Sequence, residues 1–235
     1  MKHSDTNRCR RCGVCCEKGG PSLHHEDRAL VDRGNIPARD LFTLREGELA
    51  RDNVKGVLAP LEDEIIKIKG QNGRWTCRFY DPQEHGCRIY AHRPLECRVL
   101  NCRDTSRIEK IYAVKRLTRQ DLLANIQGLW ELIEEHELRC RYADLAAQVR
   151  EGTGAESEDL KQERAILETL RYDAHFRKLA VTKGGLDPGM LDFVFGRPLT
   201  ETIRMFDVRL IRKSGAYGLV RFRRPVAVGP KAENG

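Results

Sequence analysis

The chain has 235 residues, 40% hydrophobic and 33% charged, with a formal net charge of +7, a balance that supports a folded core and excludes a wholly disordered polymer. Its longest run without Asp, Glu, Lys or Arg is the nine residues from Leu122 to Trp130, far short of the ~20 apolar residues of a spanning helix, so no membrane partner is expected. The polar start, Met1-Lys2-His3-Ser4-Asp5-Thr6-Asn7-Arg8-Cys9, lacks the apolar core of a secretory signal, and a cytoplasmic location is expected.

In that reducing setting nine cysteines point to a metal site rather than to disulfides. Eight of them fall between Cys9 and Cys102, and Cys140 alone follows. The expected architecture is α+β: a cysteine-rich metal-binding domain over residues 1–105 with a β-hairpin, then a mainly helical domain over 106–235 with short terminal strands. Charge is also uneven. Residues Ile203 to Gly235 contain Arg204, Arg209, Arg212, Lys213, Arg221, Arg223, Arg224 and Lys231 against Asp207 and Glu233.

In chain order, Ser22 can cap a short helix over His24 to Arg33, with Gly34 to end it. Ile65 to Lys69 and Arg74 to Tyr80 are both rich in β-formers, and Gly70-Gln71-Asn72-Gly73 between them predicts a hairpin that presents Cys77 on a strand. Leu122, Ile126, Leu129, Ile133, Leu138, Tyr142, Leu145 and Val149 recur at helical steps. They predict one amphipathic helix over Gln120 to Arg150, or two broken near His136. Thr153 and Glu156 form a capping-box pair ahead of a helix over Ser157 to Ala180, with Leu160, Leu167, Leu170, Ala174 and Leu179 on its apolar face and Gly184-Gly185 as its stop. Pro188 and Pro198 are placed to open short helices, and Arg209 to Ile211 with Ala216 to Phe222 read as a terminal hairpin.

The sharpest local signal is Cys9-x2-Cys12-x2-Cys15-Cys16. Two intervening residues let the chain curl so that successive thiolates converge while backbone N–H groups point at sulfur, as in zinc knuckles and iron–sulfur loops. Cys77, Cys87, Cys97 and Cys102 form a looser second group. Arg is 30 of the 235 residues, so about one cysteine in nine should precede Arg by chance. Six do: Cys9, Cys77, Cys87, Cys97, Cys102 and Cys140. A centre of four thiolates carries net negative charge, which adjacent guanidinium groups offset; Cys140-Arg141 reads as an incidental pair on a helix.

Cys9-x2-Cys12-x2-Cys15-Cys16, followed by Cys87-Arg88-Ile89-Tyr90-Ala91-His92-Arg93-Pro94-Leu95-Glu96-Cys97-Arg98 and Cys102, resembles the YkgJ-type cysteine-cluster family, whose CxxCxxCC domain chelates zinc or iron. The likeness spans about Asn7 to Arg103. It implies that Cys9, Cys12, Cys15, Cys16, Cys77, Cys87, Cys97 and Cys102 bind metal, and a similar domain in a flagellin lysine N-methylase implies an iron–sulfur cluster in some members. Where the family has an aromatic residue and Pro before its last cysteine, this chain has Leu100-Asn101.

Two metals fit the residues. Eight thiols match two four-thiolate zinc sites, whereas the Cys-x2-Cys-x2-Cys triplet with Cys97 or Cys102 matches one [4Fe–4S] cluster. His85 and His92 are close enough in sequence to Cys87 to substitute as ligands, while Trp75 and Tyr90 are expected to pack around the site and exclude water. Glu131, Glu134, Glu135 and Glu137 read as a solvated acidic face, because no Glu-x-x-His partner helix is present. The basic end, with Tyr217 and Phe222 among its cations, suits nucleic-acid phosphates and stacking; docking on the acidic helix is the preferred reading, and any partner is an unidentified protein. No phosphate loop, His-Glu-x-x-His or nucleophile elbow occurs. The remaining chemical option is an activated thiolate at Cys16, beside Cys15.

Overall fold

The computed structural model describes residues 9, 11–150, 156–213 and 215–222. Its elements are α1 (Val14–Glu17), α2 (Arg28–Asp32), β1 (Leu41–Leu44), β2 (Leu49–Asp52), β3 (Val57–Pro60), β4 (Ile65–Ile68), β5 (Tyr80–Asp81), β6 (Gly86–Cys87), α3 (Leu95–Val99), α4 (Ser106–Ile111), α5 (Arg119–Leu123), α6 (Leu129–Arg139), α7 (Tyr142–Arg150), α8 (Glu156–Thr182), α9 (Leu191–Val194), α10 (Leu199–Thr202), β7 (Val208–Lys213) and β8 (Ala216–Arg221). Among the described residues, helices thus combine with four two-stranded antiparallel sheets, pairing β1 with β4, β2 with β3, β5 with β6, and β7 with β8.

The partner of Ile65–Ile68 differs from the expected one. It pairs with Leu41–Leu44 in the register Leu41↔Ile68 to Leu44↔Ile65, not with Arg74 to Tyr80. Burial explains the choice: every residue of β1 is buried, as are Ile65, Ile66 and Ile68, whereas Arg74 and Trp75 are exposed and offer β4 no apolar face. The chain still reverses over residues 70–77, with Asn72 and Gly73 at positive φ, a Gly70–Cys77 bridge, and Arg78 N–H donating to Lys69 O at 2.9 Å. Cys77 therefore follows a turn rather than lying on a strand.

The predicted helix over His24 to Arg33 forms as a 3-10 turn, His25–Asp27, that runs into α2, and it is capped at His24 rather than Ser22. The Asp27 carboxylate, fully buried, accepts the N–H groups of His24 at 3.0 Å and Leu95 at 2.8 Å, which ties the start of α2 to α3. Gln120 to Arg150 becomes three helices, not one or two. Gly128, at φ 77°, opens α6, and Cys140 closes it, four residues beyond His136. α8 buries Ile166, Leu167, Leu170, Asp173, Arg177 and Ala180, and leaves Leu160 and Leu179 exposed. Polar Asp173 and Arg177 occupy the middle of its inward stripe. Of the capping pair, Thr153 lies outside the described residues. Pro188 begins the short turn before α9, Pro198 precedes α10, and β7 and β8 form the predicted hairpin, although Ser214 at its turn and everything after Phe222 are outside the described residues.

The main core joins Leu23, Ile36, Leu41, Ile66, Ile68, Cys77, Tyr80, Leu117 and Ile133 to Phe193, Val194 and Phe195, so packing crosses residue 105. Thr43 Oγ1 donates to Phe193 O at 2.7 Å across the same boundary. A second cluster holds Cys140, Tyr142, Leu145, Val149, Ile166, Leu170, Leu199, Ile203 and Val208. Between the two runs an ion network: Arg45 to Glu137 at 3.0 Å, Glu137 to Arg119 at 2.8 Å, and Arg119 to Glu64 at 2.6 Å. Glu137 is therefore a structural anion rather than part of a free acidic face. The β7–β8 hairpin docks on α8 and α7, through Leu219 N–H to Glu163 Oε1 at 2.7 Å and Arg221 to Val149 O at 2.7 Å, rather than on the acidic face of α6. No helix among the described residues is long and apolar enough to cross a membrane.

Candidate metal centre

The first cysteine loop is built from two left-handed residues. Arg11, at φ 57°, turns its N–H back onto Cys9 Sγ at 3.4 Å, the N–H···S contact that stabilises a thiolate. Gly13, at φ 80°, sits against the Tyr80 ring, where an added Cβ would run into the hydroxyl. Glu17 N–H then donates to Gly13 O at 2.9 Å and starts the single turn α1, which brings Cys15 and Cys16 Sγ to 4.0 Å.

The second group is clamped to the first through the backbone. Cys77 N–H donates to Cys16 O at 2.7 Å. The Gln71 side-chain amide bonds Cys77 O at 2.9 Å and Tyr80 O at 2.8 Å, fixing the turn after Cys77. β5 and β6 bring Cys87 opposite Tyr80. Pro94 leads into α3, which carries Cys97; there the Glu96 carboxylate accepts Ser22 N–H at 2.8 Å and lies 3.3 Å from His24 Nε2. His24 Nδ1 faces Val114 O at 2.8 Å. Both imidazole nitrogens thus face acceptors, and although burial opposes the charge, Glu96 and the carbonyl outweigh it and the His24 pKa is raised.

The thiols range from buried Cys77, through half-buried Cys15, Cys16, Cys87 and Cys97, to exposed Cys9, Cys12 and Cys102. Their charges interact throughout the set. Burial pushes Cys97 well up, and Cys77, Cys15 and Cys87 add repulsion; burial likewise raises Cys77, with Cys87 and Cys15 adding to it. Burial raises Cys87, with Cys9 adding and Arg93 and Arg88 opposing. Burial raises Cys102, with Cys15, Cys12 and Cys9 adding. In the Cys15–Cys16 pair the shared hydrogen bond holds Cys15 low and Cys16 high. The eight predicted thiols therefore share one electrostatic neighbourhood, in which thiolate formation is resisted at Cys16, Cys77, Cys87, Cys97 and Cys102 and favoured at Cys15. A metal reverses that balance, because a coordinating thiol is deprotonated outright.

Cations already stand nearby. Arg11 and Arg93 both lie over the Tyr90 ring, at 4.1 and 3.7 Å from its centroid, and Arg93 Nε donates to Tyr90 O at 2.9 Å. Arg93, with Arg88, favours the thiolate form of Cys87. The donor set, the N–H···S contact and these guanidiniums all fit a metal held by thiolates.

Other expected neighbours sit elsewhere. Trp75 is 60% exposed and does not seal the site; buried Tyr80, whose hydroxyl abuts Gly13, packs there instead. His85 and His92 are exposed. Among the described residues, the group of three or more His, Cys, Asp or Glu donors whose ligand atoms all lie within 4.8 Å is not in this domain: it is His136, Cys140 and Asp173. Sequence reading passed over it, although the i, i+4 spacing of His136 and Cys140 was a visible signal.

Residues 8–116 match the family model CxxCxxCC, described as "Putative zinc- or iron-chelating domain". No curated protein and no solved structure matches the chain.

Proposed function

We propose that four thiolates drawn from Cys9, Cys12, Cys15, Cys16, Cys77, Cys87, Cys97 and Cys102 hold an iron–sulfur centre of the four-iron type, and that the chain is a cytoplasmic redox protein acting with a protein partner. The Cys9-x2-Cys12-x2-Cys15 triplet carries this reading: three thiolates spaced two residues apart suit three irons of one cube, with Cys97 or Cys102 as the fourth ligand.

The protein residues have separable tasks. Arg11, Arg88 and Arg93 balance thiolate charge, Gln71 and the Cys16 carbonyl fix the approach of Cys77, and Tyr80 excludes water beside Gly13. The centre would supply one-electron transfer when bound. Electron paramagnetic resonance of anaerobically purified protein, before and after dithionite, tests the proposal. A signal that appears on reduction and is lost in Cys15→Ser supports it; a silent protein that contains zinc replaces it with a structural zinc module.

A further inference from the structure

The back half contains a donor group that the cysteine-rich domain does not use. His136 and Cys140 lie one helical turn apart at the end of α6, and Asp173 reaches them from α8. An imidazole nitrogen, the thiol sulfur and a carboxylate oxygen lie within 4.8 Å of one another, and all three residues are buried. Asp173 is fixed. Its Oδ1 accepts from Arg177 Nε at 2.7 Å and its Oδ2 from Leu199 N–H at 2.9 Å. His136 Nε2 lies 2.7 Å from Asp173 Oδ1 and so carries the hydrogen, which leaves the lone pair on Nδ1. That Nδ1 has no partner and no solvent.

Arg45 shares the neighbourhood and the defect. Its Nε and Nη2 are also buried and partnerless, and its charge acts on both His136 and Cys140. Buried polar atoms are normally satisfied. Here three of the four buried, unpartnered side-chain atoms among the described residues belong to Arg45 and His136. A neutral thiol leaves the Arg45 charge unanswered, whereas a thiolate would be attracted to it.

Charge selects the ligand class. The network pairs Arg45, Arg119, Arg177 and Arg197 with Glu137, Glu64, Asp173 and Glu48, four cations with four anions. An anion, or a divalent cation that displaces one proton, would leave a buried charge uncompensated. A monovalent cation that displaces the thiol proton changes nothing in the total. We propose that Cys140 and His136 bind one monovalent thiophilic metal ion, Cu(I) in chemical class, with Asp173 as the positioning residue that orients the imidazole. The step is Cys–SH + M⁺ → Cys–S–M + H⁺; the proton leaves to solvent and no oxidation state changes. Soft thiolate ligation suits Cu(I), and an imidazole whose second nitrogen donates to a carboxylate is a common metal-site arrangement.

To test this, the full-length protein is produced in copper-supplemented medium, so that the closed site fills as the chain folds, and is purified without oxygen against bicinchoninate. Copper, iron and zinc are counted in wild type, Cys140→Ala and Cys140→Ser. The proposal predicts one more copper per chain in wild type than in either variant, with iron and zinc unchanged, and a shifted His136 Nδ1 resonance in ¹⁵N spectra of copper-grown against copper-free wild type. Equal copper in all three proteins, or a His136 resonance that does not move, overturns it. Zinc retained through Cys140 in place of copper overturns the charge argument. Because front-domain metal is counted separately, failure here is distinct from failure of the iron–sulfur reading.

Discussion

Replacing Glu137 by Gln removes the carboxylate that, among the described residues, lies within ion-pair distance of the buried Arg45 guanidinium. Arg45 has 1% side-chain exposure, its Nη1 lies 3.0 Å from Glu137, and its Nε and Nη2 have no partner. Among the described residues, the Tyr142 ring, 4.5 Å away, would remain to stabilise the charge. Arg119 is less affected, since it keeps Glu64 and the Val194 carbonyl. Breaking a buried pair from one side costs about 3–5 kcal/mol. Glu137 is 31% exposed, so water screens part of the loss and the lower end, about 3 kcal/mol, applies. For a chain of this size that lowers Tm by about 6–12 °C. Urea unfolding of Glu137→Gln and wild type at pH 7 measures the difference, and Arg45→Met in the Glu137→Gln background should recover most of it, because the uncompensated charge is gone. A loss under about 1 kcal/mol, or no recovery in the double variant, would refute the view that Glu137 holds a buried charge in place.

Further outcomes follow from the same geometry. Gly13→Ala forces a side chain into a left-handed conformation and against Tyr80, so it should lose about 1–2 kcal/mol from strain alone and retain less metal; wild-type metal content would contradict the loop geometry. Cys12→Ser and Cys15→Ser should lower front-domain metal, whereas Cys140→Ser should leave it intact, as elemental analysis of the three proteins would reveal. His24 has a raised pKa in the folded chain, so its contribution to stability is fully present below about pH 6.5, the unfolded value, and is lost as pH rises through the folded one. Histidine NMR should find His24 charged where free imidazoles are neutral; an ordinary titration would discard the two-acceptor assignment.

What could be read from sequence follows from how local each determinant is. The Cys9 to Cys16 motif is legible because its thiols are placed by a few consecutive dihedrals, and the Gly13 turn is implicit in it. The β7–β8 hairpin is legible for the same reason. The pairing of Ile65–Ile68 with Leu41–Leu44 is not, because it depends on burial of both strands beneath Phe193 and Phe195, far away in the chain. The apolar face of α8 misleads because Asp173 and Arg177 count as outward residues in a hydrophobic pattern, yet they point inward to meet His136 and backbone carbonyls. Trp75 illustrates the converse error: an aromatic residue two positions before Cys77 suggests a lid, but the 70–77 turn carries it outward. Glu137 looks like its acidic neighbours until the arginines that meet it, Arg45 and Arg119, are brought in by other elements.

Iron and acid-labile sulfide per chain, measured on protein purified without oxygen and with its visible spectrum, test the central claim most directly. The account predicts a brown protein with about four irons and four sulfides per chain. A colourless protein with about one or two zinc ions and no sulfide would contradict it.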